Sequence, residues 1–425
     1  MHKDKLNVWC NRSHVGYLWR DGKNDMGFQY SDQWLENPVR FPVSVTLPLR
    51  SEPYEAGEEN YVAHNFFANL LPEADSRKRI CREKKISEGN DFELLRAIGG
   101  ECAGALSIIS DEPAQTTPEY RRLSDSDLTE LLIKRNPRAV VEESDSAPRF
   151  SLAGAQDKVP VKYEDGQVLI PLGNSASTHI LKYRLRDVSH VPAYETITTW
   201  TANELKLDAC EINYHTHGNE SFSLAKRYDR VAIDGGLARL HQEDFCQASG
   251  RSNQNKYEHE GGPGFAECLK LVQRHSTQPL QDIPRLIQWQ VFNYLVGNAD
   301  AHAKNLSFLY GLDNATRLSP FYDLIAIHAW PSHVFNHNLA MSIGGESNIH
   351  KVKRRHWEQL ADDCAISFIQ FENIIGKLSE GVIDAFERAK KRFESEHGEY
   401  PAFQQVKKVL LKNQKLLKIA FENAR

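Results

Sequence analysis

Gly297-Asn298-Ala299-Asp300-Ala301-His302-Ala303-Lys304-Asn305, followed downstream by Pro320-Phe321-Tyr322-Asp323, is the stretch on which the reading of this chain turns. Asp300 and Asn305 stand at the spacing D-x-x-x-x-N. In phosphoryl-transfer loops that spacing offers one side chain to the attacking hydroxyl and one to a divalent cation. Asp323 supplies a second acid from a later segment. If these groups converge, the chain transfers phosphate.

Each residue type suits a part of that chemistry. Asp300 can accept a proton from an acceptor hydroxyl or orient it, and geometry decides this more than the acidity of a free carboxylate. Asn305 offers a neutral oxygen to a hard cation such as Mg2+. Lys304 can offset charge on a transferring phosphoryl group. His302 can contact phosphate or order the loop. Asp323 can bridge a cation to the β and γ phosphates. The plain alternative is a turn, for which Gly297-Asn298-Ala299-Asp300 is suitably composed. However, the segment follows an amphipathic helix bearing Ile287, Val291, Tyr294 and Leu295, and a turn alone does not explain so many polar groups. Calcium does not fit, because the D-x-[DN]-x-[DN]-G ladder is missing. Zinc does not fit, for want of closely spaced His or Cys pairs.

Working outward, Ser151-Leu-Ala-Gly-Ala-Gln-Asp-Lys158 is a turn of small residues before a strand. Small side chains let backbone N–H groups approach a phosphate. It matches neither G-x-G-x-x-G nor a Walker A loop, and a strand-entry loop is the competing reading. Lys182 lies in the apolar strand Ile180-Leu181-Lys182-Tyr183. A lysine so placed grips α and β phosphates in kinases, or it is an edge-strand lysine facing water. Its ion-pair partner would come from the next helix, with Glu195 the better placed and Glu204 second. Gln242-Glu243-Asp244 reads as a helix N-cap or first turn. Gly261-Gly262-Pro263-Gly264 reads as a loop without chemistry.

The organisation around these segments is two-part. Leu6 and Val8, then Val15, Tyr17 and Trp19, then Met26, Phe28 and Tyr30 alternate as strands, with Asp21-Gly22 as a turn. A helix is predicted over 59–71, stopped by Pro72, and another from Phe92 to Ile98. Residues 111–149 are polar and broken by four prolines. They hold one helix, from Ser124 to about Arg135, with a capping box to Asp127. Strands follow from Phe150, at 159–163, 167–170, 178–183 and 222–228, with a helix after Pro192. After about Leu240 the pattern is mainly helical, at 264–275, 283–298, 355–364, 367–391 and 403–421. The expected parts are residues 1–112, a β-rich module; 113–149, a connector; 150–245, a strand-rich core; and 246–425, a helical part.

The chain has 425 residues and a net charge of −5, so it carries no overall positive field for nucleic acid. Its seven cysteines include no C-x-x-C pair, which suggests a reducing cytoplasm and neither a disulfide framework nor a zinc cage. No run of about 18 apolar residues signals a membrane span, and the first residues do not resemble a signal peptide. A local basic stretch exists at His350-Lys351-Val-Lys353-Arg354-Arg355-His356. The last helix adds Lys407, Lys408, Lys412, Lys415 and Lys418.

Taken together and in order, several motifs resemble the HipA family of bacterial serine/threonine kinases, the toxins of HipBA toxin–antitoxin modules. They are Phe150-Ser-Leu-Ala-Gly-Ala-Gln-Asp-Lys158, His179-Ile-Leu-Lys182, Lys226-Arg-Tyr-Asp-Arg230, His241-Gln-Glu-Asp-Phe-Cys-Gln247, Asn298 to Asn305 and Phe321-Tyr-Asp323. The matching pieces run from about residue 5 to about residue 345.

The resemblance implies an α+β, two-lobed protein-kinase-like fold related to lipid kinases, strand-rich in its N-terminal half and mainly helical in its C-terminal half. It implies ATP and Mg2+ as cofactors. The backbone of Ala153, Gly154, Ala155, Gln156, Asp157 and Lys158 would cover the phosphates, and Lys182 would hold them. Lys226, Arg227 and Tyr228 would line the adenine, largely through main-chain groups. Asp300 would be catalytic, with His302, Lys304 and Asn305 around it. Asn305 and Asp323 would hold the metal, and Tyr322 would flank the nucleotide. Ser151 would be the autophosphorylation site, whose modification expels its loop and silences the kinase. Two positions depart from the family pattern: Asp157 replaces an expected glutamate, and Lys226 an expected acid.

The resemblance also implies partners. These are a HipB-type helix-turn-helix antitoxin dimer, operator DNA reached mainly through it, and a protein substrate, an aminoacyl-tRNA synthetase of the glutamyl type. Phosphorylating that substrate would arrest translation and favour dormancy. Two other readings stay open: a catalytically silent co-repressor, and a kinase of a lipid or small molecule.

Overall fold

A computed structural model describes residues 4–110, 118–141, 149–154, 156–185, 187–233, 236–313 and 315–422. The chain divides into two compact units. The first comprises Met1–Leu185, Tyr214–Asn253 and Leu309–Ala315, and the second comprises Arg186–Asn213, Gln254–Phe308 and Thr316–Arg425.

The first unit opens with strands β1 (Lys5–Cys10), β2 (Ser13–Arg20) and β3 (Met26–Tyr30). With β4 (Leu106–Ile109) they form an antiparallel sheet in the order β3-β2-β1-β4. Leu6, Val8, Val15, Leu18 and Phe28 are fully buried in its core. The expected alternation of Val15, Tyr17 and Trp19 breaks down, because Tyr17 is exposed and Leu18 is buried. A bulge where Val8 and Trp9 meet β2 shifts the register and takes Val15 out of phase with Tyr17.

Four helices follow β3 in this unit: α1 (Asp32–Glu36), α2 (Val62–Ala68), α3 (Ala74–Lys84) and α4 (Asp91–Ile98). The helix predicted over 59–71 is thus shorter. Tyr61 is left-handed and exposed, and Asn69 caps the helix before Leu70 and Leu71, which are buried outside it. α3 escapes a periodicity reading because only Ser76 and Cys81 of its eleven residues are buried. α4 has the expected extent, capped by Asn90 and ended by Gly99.

The larger sheet of this unit is built from β5 (Tyr120–Arg122), β6 (Lys158–Glu164), β7 (Gln167–Pro171), β8 (His179–Tyr183), β9 (Ile212–His217) and β10 (Glu220–Lys226). Its order is β5-β7-β6-β8-β10-β9, so β8 is an interior strand. Asp165 and Gly166 both take positive φ, as the tight hairpin turn between β6 and β7 requires. Helix α5 (Asp125–Lys134) begins with the expected Ser124–Asp127 capping box. Strands β11 (Arg230–Ile233), β12 (Gly236–Arg239) and β13 (His241–Asp244) then lead to a single helical turn, Phe245–Ala248, capped by Asp244.

A buried ionic cluster crosses this unit. The Arg227 guanidinium lies 3.2 Å from Glu101 and 2.7 Å from Asp229, and Arg230 meets both acids at 3.0 Å. Glu101 also accepts hydrogen bonds from the Ser177 amide and hydroxyl, and Asp229 from the Gly104 amide. Burial alone would raise both carboxyls. The arginines outweigh it and hold both below the usual carboxylate range. The cluster joins segments far apart in sequence with every acid paired.

The second unit is mainly helical, as expected. Its long helices span Val191–Glu204, Phe265–His275, Pro279–Val296, Arg354–Asp363, Phe368–His397 and Phe403–Glu422. The first of these is buried on every face from Val191 to Ala202, as a central core helix must be. The helical pattern is interrupted by short strands at Thr316–Leu318, Asn338–Ile343 and Glu346–Asn348, and by Ser307–Tyr310, whose last two residues belong to the first unit; all are too short for a periodicity reading to find. The α+β class holds, with strands dominating the first unit and helices the second. Among the described residues, no helix is long and apolar enough to cross a membrane. All seven cysteines are free and buried.

Candidate active site

In the second unit, the helix Pro279–Val296 ends on Gly297, which takes φ 65°. A Cβ there would lie 2.7 Å from the His328 Cβ, so both conformation and space select glycine. The chain then enters the loop that carries Asp300. Asn298, almost fully buried, braces it. Its Oδ1 accepts from the Asp300 amide at 3.3 Å, and its Nδ2 donates to Asn293 Oδ1 at 2.9 Å and reaches the Asp323 carbonyl at 3.5 Å. One side chain thus ties the Asp300 loop to the Asp323 segment.

A second tie runs through Tyr322. Its hydroxyl donates to the Lys304 carbonyl at 2.7 Å and lies 2.7 Å from the Ser307 hydroxyl. Asn305 closes the loop on itself by donating from Nδ2 to the Asp300 carbonyl at 2.9 Å. That bond fixes the amide, with its nitrogen used internally and Oδ1 as the remaining end. Asp323 sits at φ 54°, a conformation uncommon for any residue with a side chain. The structure therefore brings Asp300, His302, Lys304, Asn305, Tyr322 and Asp323 into one hydrogen-bonded assembly within this unit.

The oxygens available suit Mg2+. An amide oxygen and a carboxylate are hard donors, and this ion is commonly held by one or two carboxylates together with substrate phosphates. Among the described residues, no group of three or more His, Cys, Asp or Glu side chains is placed to hold a metal by itself.

Sequence reasoning missed Tyr257. Its hydroxyl donates to Asp300 Oδ1 at 2.6 Å. Its ring stands edge-on to His302, with centroids 5.2 Å apart, and His302 Nε2 lies 3.9 Å from the same carboxylate oxygen. The signal available was an aromatic just ahead of Gly261-Gly262-Pro263-Gly264, a loop read as having no chemistry.

In the first unit, Lys158 of β6 and Lys182 of β8 are register partners. Directly opposed residues on adjacent strands present their side chains to the same face. Lys182 is buried on an interior strand, which removes the edge-strand alternative. Gly154 takes φ 113°, and a Cβ there would approach Lys158 Nζ to 2.9 Å. Ala153 and Gly154 are half-buried, and Gly154 bridges to Pro72. Gln156 donates to the Tyr183 carbonyl at 2.9 Å. Asp157 pairs with Arg79 at 2.8 Å, so the shorter acid still finds a cation. Ala155 lies outside the described residues.

Lys226 is exposed at the end of β10. The Arg227 side chain is committed to the buried ionic cluster, which leaves only main-chain groups for a ligand. The Tyr228 hydroxyl bonds to Gln242. Ser151 is fully buried, donating from its hydroxyl to the Leu70 carbonyl at 2.7 Å and from its amide to the Glu101 carbonyl at 2.8 Å. Of the two glutamates considered for Lys182, Glu195 is buried, whereas Glu204 pairs with Arg388 at 2.7 Å. The basic stretch and the last helix are each partly neutralised, since Arg354 meets Glu358 and Glu372, and Lys407 meets Glu387.

Comparison with known proteins gives a consistent result. The family model for the HipA-like C-terminal domain matches residues 150–386, and that for the HipA N-terminal domain matches residues 6–109. A protein of Sinorhizobium fredii, named provisionally as a kinase, is 34% identical over 390 residues, covering 90% of this chain and 91% of that protein. The serine/threonine-protein kinase toxin HipA of Shewanella oneidensis is 30% identical over 346 residues, covering 78% of this chain and 77% of that protein. A chain in the solved complex of Shewanella oneidensis HipA, HipB and operator DNA matches with a TM-score of 0.80 at 24% identity, covering 98% of this chain and 97% of that one. This last likeness shows a common fold.

Proposed function

The chain belongs to the HipA family, and on that premise we propose that it is an ATP- and Mg2+-dependent protein serine/threonine kinase acting as the toxin of a toxin–antitoxin pair. The observation that carries the reading is the assembly in which Asn298 and Tyr322 tie the Asp300–Asn305 loop to Asp323. A turn would not need that bracing.

In this reading, Lys158 and Lys182 receive the ATP phosphates, and the backbone of residues 153–158 covers them. Main-chain groups of Lys226, Arg227 and Tyr228 meet the adenine, and Tyr322 flanks the nucleotide. Asp300 orients the acceptor hydroxyl and takes its proton as the hydroxyl oxygen bonds to the γ-phosphorus and the bond to ADP breaks. Lys304 offsets charge on the phosphoryl oxygens, and His302 orders the loop. Asn305 and Asp323 would hold Mg2+, which when bound neutralises charge on the β and γ phosphates.

Ser151 is the proposed autophosphorylation site. Its full burial supports a switch, because a phosphate cannot be accommodated where the hydroxyl now meets the Leu70 carbonyl. The loop would leave its place once modified. The proposed partners are a HipB-type antitoxin dimer, operator DNA through it, and a glutamyl-type aminoacyl-tRNA synthetase as substrate. The cytoplasm is the proposed compartment. Induced expression in bacteria without the antitoxin, followed by phosphopeptide mass spectrometry, tests this. Growth arrest with a new phosphoserine on a synthetase is expected. Growth without any new phosphopeptide would contradict it.

A further inference from the structure

The segment that carries Tyr257 is built to hold one shape. The Tyr257 carbonyl accepts hydrogen bonds from the Glu260 amide at 3.0 Å and the Gly262 amide at 2.9 Å. Gly261 takes φ 89°. A Cβ on Gly262 would lie 2.4 Å from the Asn255 carbonyl oxygen, and one on Gly264 would lie 2.8 Å from the Glu258 carboxylate. Glu258 anchors the turn elsewhere in the second unit, accepting from the Ser342 amide at 2.5 Å and its hydroxyl at 3.0 Å. The glycines read from sequence as an idle loop are thus what lets this turn close.

What the turn delivers is a hydroxyl. Tyr257 donates to Asp300 Oδ1 at 2.6 Å, a short bond of the kind a charged acceptor makes. The Asp300 side chain is half exposed, so little packing restrains its rotation. A phenol held by a fixed turn restrains it instead. The His302 ring, edge-on to Tyr257, keeps the phenol from swinging aside.

We propose that Tyr257 is a positioning residue for phosphoryl transfer. By occupying Oδ1 it fixes the carboxylate plane and directs Oδ2 to the acceptor hydroxyl. This rests on Asp300 being the residue that meets that hydroxyl. Orientation of a reacting group acts on the rate of the chemical step rather than on nucleotide binding.

The test uses the full chain with radiolabelled ATP and Mg2+. It measures the rate of label transfer to Ser151 at saturating ATP, the equilibrium affinity for ATP, and thermal unfolding. Tyr257→Phe removes only the hydroxyl. We expect its transfer rate to fall about tenfold, with ATP affinity within about twofold of wild type and unchanged unfolding. Incorporating 3-fluorotyrosine at 257, which keeps a donor, should restore the rate to within about threefold of wild type. A wild-type rate in Tyr257→Phe would overturn the inference. So would a loss of affinity and stability in step with rate, or no recovery with the fluorinated residue. Asp300→Asn run alongside separates the two levels. If it still transfers label, the reading of the loop itself fails. If it is inactive while Tyr257→Phe is fully active, only the role of Tyr257 fails.

Discussion

Lys158 and Lys182 stand directly opposite each other on adjacent antiparallel strands. Directly opposed side chains share one face of a sheet, so both ammonium groups can reach a single polyphosphate. The small-residue loop ending at Lys158 leads into the same place. Lys158→Met and Lys182→Met should each weaken ATP binding about tenfold to a hundredfold, the value of a charge-assisted hydrogen bond. Titration calorimetry checks this. Wild-type affinity in either variant would remove that lysine from the phosphate site.

Gly297 connects the helix Pro279–Val296 to the Asp300 loop, with its positive φ and His328 against it. Burial pushes the His328 imidazole down to about 4, so a neutral ring packs there at pH 7. Gly297→Ala should cost about 1–3 kcal/mol of stability in denaturant unfolding and slow label transfer. An alanine variant as stable and active as wild type would mean that the loop tolerates another entry path.

Glu243 is wholly buried in the first unit, where its carboxylate accepts from the Ser44 hydroxyl at 2.5 Å, the Val45 amide at 3.0 Å and the Tyr310 hydroxyl. Burial raises this carboxyl to about 7, despite those bonds pulling the other way. The folded chain therefore holds the proton over a range in which the unfolded chain has released it. The resulting stabilisation is complete below about pH 4.5 and is lost as pH rises to about 7. Glu243→Gln should flatten the fall in unfolding temperature between about pH 4.5 and about pH 7. An equally steep fall in the variant would show that other groups set it.

The ionic cluster gives a contrast between buried and exposed charge. Arg227→Met leaves Glu101 and Asp229 buried beside fewer cations, and should cost about 3–5 kcal/mol. Arg184 pairs with Glu220 at the surface, and Arg184→Met should cost under about 1 kcal/mol. Denaturant unfolding of both variants checks the ratio. Equal costs would mean that the buried cluster adds nothing beyond an exposed pair.

Much of the fold was readable because it rests on period and punctuation. Asp165-Gly166 announces its hairpin, Ser124 and Asp127 announce a helix start, and the long helices of the second unit carry broad apolar faces. What escaped has local physical reasons. α3 buries only a serine and a cysteine, so its pattern is polar throughout. The run through Tyr61 to Leu71 looks helical by apolar spacing, yet a left-handed Tyr61 and an early cap confine the helix to Val62–Ala68. β2 loses its alternation to a bulge that only pairing reveals.

The candidate site divides in the same way. Asp300, Asn305 and Asp323 were legible because their residue types and spacing carry the chemistry. The braces were not. Asn298 looks like a turn residue until its two ends are seen to reach Asp300 and Asp323. Tyr257 lies more than forty residues before Asp300, and no spacing rule joins them. Lys182 was ambiguous because a single strand does not say whether it is an edge, and the sheet order settles that.

The most direct test of the central claim is transfer of radiolabel from ATP to Ser151 in wild-type protein and in Asp300→Asn. The account predicts Mg2+-dependent labelling of Ser151 in the wild type, abolished by chelation. In Asp300→Asn it predicts labelling at least about a thousandfold slower, with thermal unfolding unchanged. A folded Asp300→Asn protein that labels Ser151 at the wild-type rate would contradict it.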